Sequence, residues 1–142
     1  MSEPGASGIE ARLKHAASLP ETLAAGFDAF EVIRTAARDC HDRVPELFAA
    51  FMTVADAAVD GREALTLAPS LPLAGGVDPN DAVSAGADVG QVADALMALA
   101  DVLGERLSRA AALSDLPGDR VACQDAAQAA GRIRQLMARA DP

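Results

Sequence analysis

The sequence predicts an all-α protein, and three observations support that fold class. Alanine, the strongest helix former, supplies 34 of the 142 residues. Larger apolar residues recur at alternating steps of three and four, which places them on one face of a helix. Runs of β-branched and aromatic residues, typical of strands, do not occur in the sequence. We therefore expect a disordered N-terminus at 1–8 and a single antiparallel helical bundle at 9–141, a four-helix bundle or a close variant.

The first two predicted helices follow each other directly. A short amphipathic helix is expected over residues 9–18. A longer helix begins next, because Ser18 can cap it and Pro20 is tolerated in a first helical turn. Glu21 stands three residues after Ser18, as a capping box requires.

Pro45 interrupts the apolar stripe of this second helix. The stripe consists of Leu23, Phe27, Phe30, Ile33, Ala37, Cys40, Val44, Leu47, Phe51, Val54 and Ala58. Proline removes a hydrogen bond and clashes with the carbonyl four residues back, so the helix must kink or break here. The stripe keeps its phase across Pro45, and residues 41–44 contain no glycine for a turn. This pattern favours a kinked helix, and a break into two antiparallel helices is the alternative.

Residues 66–80 are predicted to form a crossover strap that is apolar rather than hydrophilic. Its helix-breaking residues are Pro69, Pro72, Gly75, Gly76 and Pro79. Fully extended, about ten such residues reach ~33 Å, the length of a helix of about 22 residues. The strap can therefore run along the bundle with its leucines packed on the helices, and a lid or docking segment is the alternative.

Two further helices complete the predicted bundle. The first covers about residues 88–114 and carries a stripe of leucines and valines. Residues 116–119, Leu-Pro-Gly-Asp, are typical of a turn between helices. The last helix is expected at about 119–140, where its arginines, among them Arg132 and Arg134, are interpreted as residues that flank the core or form salt bridges.

The net charge of −9 comes entirely from the middle of the chain. Between residues 46 and 105, ten acidic residues stand against one base, Arg62, and the rest of the sequence is balanced. This concentration of negative charge repels phosphate groups and attracts basic groups, which excludes nucleic acid as a direct partner.

Six of these carboxylates form two rows, each opposite the apolar stripe of its helix. The rows are Asp56, Asp60 and Glu63, and Asp94, Asp101 and Glu105. One interpretation is a solvated face that keeps the protein soluble, and the other is a docking surface for a basic protein segment. Cation binding is a third interpretation, although exposed carboxylates on a helix make a loose set of ligands.

All four phenylalanines lie on the segment around Pro45. They are Phe27, Phe30, Phe48 and Phe51. An ordinary core cluster is the simplest interpretation. The pairs 27/51 and 30/48 share a midpoint at residue 39, so two kinked helices crossing antiparallel at Asp39 would pair phenylalanines in a homodimer. A further interpretation is an apolar ligand pocket that includes Met52.

Catalytic and metal motifs are missing from the sequence. It contains no nucleophile elbow, phosphate loop or dinucleotide fingerprint. His15, Cys40, His41 and Cys123 lack the spacing of metal ligands. We therefore expect no enzyme activity, cofactor or metal.

The sequence also predicts a location. It has no signal peptide, no run long enough to cross a membrane and no disulfide framework, so we expect a cytoplasmic protein. The bias toward Ala, Arg, Asp and Gly with a single Lys is typical of a GC-rich bacterial genome. The favoured function is a non-catalytic protein–protein interaction module that forms a homodimer, and the rival is a binder of small apolar ligands.

Overall fold

The computed structural model describes residues 6–72 and 88–140, and every regular element in these two ranges is helical. The all-α prediction is therefore confirmed. The helices are α1 (Ala6–His15), α2 (Leu19–Arg43), α3 (Phe48–Thr66), α4 (Val89–Leu113) and α5 (Pro117–Ala140), with a 3₁₀ turn over Pro45–Leu47.

The predicted cap of the second helix is present at the start of α2. The Glu21 N–H donates to Ser18 Oγ over 3.3 Å, and the Glu21 carboxylate accepts from the Ala17 N–H over 2.9 Å. Pro20 occupies the first turn, where its missing N–H would have no helical partner. Local sequence chemistry thus determines where α2 begins.

The chain breaks at Pro45 instead of kinking, so the favoured expectation of one bent helix is wrong. The turn needs no glycine, because the Val44 N–H donates to the Cys40 carbonyl and the Leu47 N–H donates to the Val44 carbonyl. These bonds close the end of α2 and the 3₁₀ turn, while Pro45 lacks the N–H that would continue the helix.

After this turn α3 runs antiparallel to α2. A Cβ at Gly26 would lie 3.3 Å from Leu65, and a Cβ at Gly61 would overlap the Phe30 ring. A later residue of α2 therefore meets an earlier residue of α3, as in an antiparallel pair. The apolar stripe keeps its phase across Pro45 because its α2 part and its α3 part pack against each other.

Helix α5 packs antiparallel against both α3 and α4. Arg132 reaches Asp60 of α3, and Arg134 reaches Asp101 of α4. Consequently α3 and α4 point in the same direction. The predicted strap between them is described only as far as Pro72, and the rest of it lies outside the described residues.

The described start of the strap is attached to α5. Ala68 is buried, and Ser70 donates two hydrogen bonds to the carboxylate of Asp119, one from its N–H over 3.0 Å and one from its hydroxyl over 2.6 Å. Asp119 lies in the first turn of α5, where its negative charge also suits the helix dipole.

Large apolar side chains from all five helices fill the core, and alanines line the contacts between the helices. The largest fully buried side chains are Phe30, Phe51, Ile9, Leu13, Leu23, Ile33, Leu65, Leu96, Leu99, Leu103, Leu107 and Ile133. Helix α1 packs on α2 and α4, where Arg12 pairs with buried Asp28 over 2.9 Å and Arg106 donates to the Lys14 carbonyl over 2.8 Å.

Candidate functional site

The acidic row on α3 is exposed along its whole length. Asp60 forms an ion pair with Arg132 of α5 over 3.1 Å. Asp56 and Glu63 have no ion-pair partner in the part of the chain that the structure describes. Two of the three carboxylates in this row therefore keep their charge open to solvent.

The acidic row on α4 is exposed as well but more fully neutralised. Asp101 pairs with Arg134 over 3.3 Å, and Glu105 pairs with Arg109 over 3.3 Å. Asp94 has no such partner within residues 6–72 and 88–140. All the paired side chains are more than half exposed, so each bridge contributes little stability and its carboxylate can exchange partners.

The two acidic rows flank the same helix, since α3 and α4 both pack on α5. The interpretation of Arg132 and Arg134 as salt-bridging residues is confirmed. Sequence reasoning placed each row on its own helix but could not place the two rows on either side of α5, because that arrangement depends on the antiparallel packing of α5.

A groove of about 610 Å³ runs between α3 and α5. Three carboxylates line it, those of Asp60, Glu63 and Asp125, and one guanidinium opposes them, that of Arg132. Leu67, with 77% of its surface exposed, lies in the same groove. Sequence reasoning did not identify Asp125 as a site residue, and it placed Leu67 in the apolar strap, for which a docking segment was the alternative.

The outer face of α3 combines these acids with apolar residues. At 100° per residue, positions 52, 56, 60, 63 and 67 fall within about 80° of one another. Met52 is 47% exposed at one end of this row and Leu67 is exposed at the other. We call these five residues the α3 stripe. It is about 22 Å long, with apolar ends and an acidic centre.

The phenylalanines take a different place from the acids. Phe30 and Phe51 are fully buried in the core of this chain, and Phe27 is half-buried. The side chain of Phe48, the first residue of α3, lies outside the described part. The predicted crossing of two copies about Asp39 needs one continuous helix through Pro45, and the chain turns back there instead.

The walls of four surface clefts among the described residues contain no phenylalanine and no Met52. Besides the α3–α5 groove, one cleft lies between α4 and α5 and one between α1 and α2. The fourth lies where the α1–α2 turn meets the end of α4.

The two cysteines are buried and unbridged. Burial raises the pKa of Cys123 to about 11, and the nearby carboxylate of Asp119 acts in the same direction. Burial also raises the pKa of Cys40, although Arg43 partly offsets the rise. Both groups are therefore thiols at neutral pH and poor nucleophiles.

The described residues contain no group of three or more His, Cys, Asp or Glu side chains that could hold a metal ion. None of the described helices combines the length and the apolar character needed to cross a membrane.

Comparison of this chain with models of known protein families, with curated proteins and with solved structures finds no match.

Proposed function

We propose that this protein is a non-catalytic interaction module whose α3 stripe and adjoining α3–α5 groove bind a basic segment of another protein. The observation that carries the proposal is the composition of the stripe, in which exposed carboxylates stand between two exposed apolar side chains, Met52 and Leu67. Charge would guide and orient the partner, and apolar burial would hold it.

The electrostatic part rests on Asp56 and Glu63, whose charges no described side chain neutralises. The exposed bridge from Asp60 to Arg132 adds a third carboxylate that a basic partner could recruit. The α4 row across α5 would contribute long-range attraction, which strengthens as ionic strength falls.

The apolar part rests on Leu67 and Met52. Full burial of a leucine side chain contributes about 1.5–3 kcal/mol, more than an exposed ion pair. Because α4 offers no comparable row of exposed apolar residues among its acids, the α3 stripe supports contact better than the α4 row.

The long helices α2–α5 would serve this function as a four-helix bundle, with α1 as a cover, in a cytoplasmic protein. Self-association as a homodimer belongs to the same proposal, and it is supported by the exposed apolar residues Leu116 and Val121 near the start of α5. Light scattering over a range of protein concentrations tests the homodimer, and a monomer mass at every concentration would contradict it.

The binding test uses a fluorescent helical peptide with lysines on one face and a leucine at each end. We expect Glu63→Gln to weaken binding about two- to fivefold, the size of an exposed ion pair, and Leu67→Ser to weaken it about tenfold or more. Asp94→Asn and Leu113→Ser are the matched controls on α4. Affinity that ignores added salt, or equal losses in the controls, would contradict the proposal.

A further inference from the structure

The smallest of the four clefts, about 200 Å³, lies between the α1–α2 turn and the last turns of α4. Its wall is mainly apolar and is built by Ala16, Ala17, Leu19, Ala110 and Leu113. Sites for drug-sized ligands start at about 300 Å³, so this cleft fits only a small group.

Two of the three hydroxyl groups in this cleft already donate hydrogen bonds within the fold. Thr22 donates to the Ser18 carbonyl over 3.0 Å, and Ser114 donates to the Ala110 carbonyl over 2.6 Å. The Ser18 hydroxyl oxygen accepts from the Glu21 N–H. The positive charge that an anionic ligand requires comes from the two arginines that line the cleft, Arg106 and Arg109.

Arg106 is held in place without being neutralised. One of its NH₂ groups donates to the Lys14 carbonyl over 2.8 Å, which orients the guanidinium. No carboxylate pairs with it among residues 6–72 and 88–140. Its remaining N–H groups form the planar donor fork that matches a carboxylate.

Arg109 can turn to the same ligand. It makes one hydrogen bond to Glu105 over 3.3 Å, and both side chains are more than half exposed, so the bridge is weak. The carboxylate of Glu21 in the first turn of α2 accepts from the N–H of Ala17, which lines the cleft. Two guanidinium groups thus stand at the edge of an apolar cleft in a chain of net charge −9.

We propose that this cleft binds a short aliphatic carboxylate. The carboxylate would bind the guanidinium groups of Arg106 and Arg109, and the aliphatic group would pack on Leu19, Ala110 and Leu113. Leu113 is 75% exposed, so this contact would remove apolar surface from water. The same chemistry occurs in a free small acid and in a protein chain that ends on an apolar residue.

The test is an NMR titration of the full ¹⁵N-labelled chain with 4-methylpentanoate, with 4-methylpentanamide as the neutral match. We expect saturable shifts at the backbone amides that line the cleft with the acid only, at millimolar affinity for so few non-hydrogen atoms. Equal shifts with the amide, or no saturable shift with the acid, would overturn the proposal.

Three variants locate the site. Arg106→Gln should weaken binding at least tenfold. Arg139→Gln makes the same change of charge in the last turn of α5, away from the cleft, and should leave binding unchanged. Ala110→Leu fills the cleft while keeping both arginines and should abolish binding. Equal losses of affinity in the two arginine variants would show that net charge, not Arg106, determines binding. Binding as tight as in wild type by Ala110→Leu would show that the acid does not bind in this cleft.

A dipeptide that ends on leucine with a free carboxylate identifies the source of the ligand. If it binds more tightly than 4-methylpentanoate, the natural ligand is the end of a protein chain. If it binds more weakly, the natural ligand is a free acid. A dipeptide with an amidated end should not bind, and binding by it would contradict recognition of the carboxylate.

Discussion

The ring of Phe30 in α2 occupies the space into which a side chain at Gly61 of α3 would extend. A Cβ at Gly61 would overlap ring atoms Cδ1, Cε1 and Cζ, and the ring is fully buried, so it cannot swing into solvent. Glycine at this position therefore sets how closely the two helices of the hairpin approach.

Gly61→Ala is expected to destabilise the fold by about 1–3 kcal/mol, since overpacking of the ring outweighs the gain of up to ~1 kcal/mol in helix propensity. Gly131→Ala on α5 is the matched control, because nothing lies within 4 Å of a Cβ there. It should stabilise by about 0.5–1 kcal/mol. Urea unfolding of both variants measures the difference, and stabilisation by both would show that α2 and α3 can separate at no cost.

The hydrogen bonds from Ser70 to Asp119 are expected to attach the segment after α3 to the start of α5. Asp119→Ala leaves the Ser70 N–H and hydroxyl without these acceptors and should cost about 2–3 kcal/mol. Ser70→Ala removes only the hydroxyl bond and should cost about 1 kcal/mol.

A double-mutant cycle of Ser70→Ala and Asp119→Ala in thermal or urea unfolding isolates the bond between the Ser70 hydroxyl and the Asp119 carboxylate. Asp115→Ala, an exposed carboxylate just before α5, is the control and should change stability little. Additive losses in the double variant would mean that the bond from the Ser70 hydroxyl contributes nothing and that Asp119 acts through the Ser70 N–H and the α5 dipole.

Glu31 is expected to give the fold a pH-dependent ionic contact between α2 and α3. Partial burial raises the pKa of this carboxyl, but Arg34 and Arg62 outweigh burial and hold the pKa below its ordinary value. A lowered pKa in the folded state stabilises the protein above the unfolded-state value of about 4.3. This contribution is lost as the pH falls through the folded-state pKa.

Unfolding of wild type and Glu31→Gln between pH 7 and pH 3 measures the effect. The stability difference should hold at neutral pH and shrink below about pH 4.3. Glu63→Gln, at an exposed carboxylate without an ion pair, should show little change in stability over this range. A Glu31→Gln difference that does not vary with pH would show that the carboxylate acts through shape rather than charge.

Sequence reasoning succeeded where the cause is local. Ser18 and Glu21 predicted the start of α2, because both hydrogen bonds of this cap lie within residues 17–21. It failed at Pro45, because a kinked helix and a helical hairpin both keep the apolar stripe in phase. Only the packing of α3 back on α2, with Phe30 against Gly61, separates the two.

The candidate site was predicted in part for the same reason. Exposure of Asp56 and Glu63 follows from the period of one helix. The groove does not, because Asp125 is brought beside Asp60 and Leu67 by contacts between helices far apart in sequence. Likewise, the sequence does not show that Arg106 lies beside an apolar cleft, because the cleft forms only where the α1–α2 turn packs on the end of α4.

Both cysteines are expected to resist a thiol reagent until the fold opens. Burial blocks access and raises the pKa of Cys123 to about 11, which leaves little thiolate at pH 8. In native protein, Ellman's reagent should therefore react at the rate of unfolding, and in urea both thiols should react at once. Ala138→Cys supplies an exposed thiol on α5 as the control and should react rapidly in the folded state. A rapid native phase in the wild type would place Cys40 or Cys123 in an opening that is much more frequent than global unfolding.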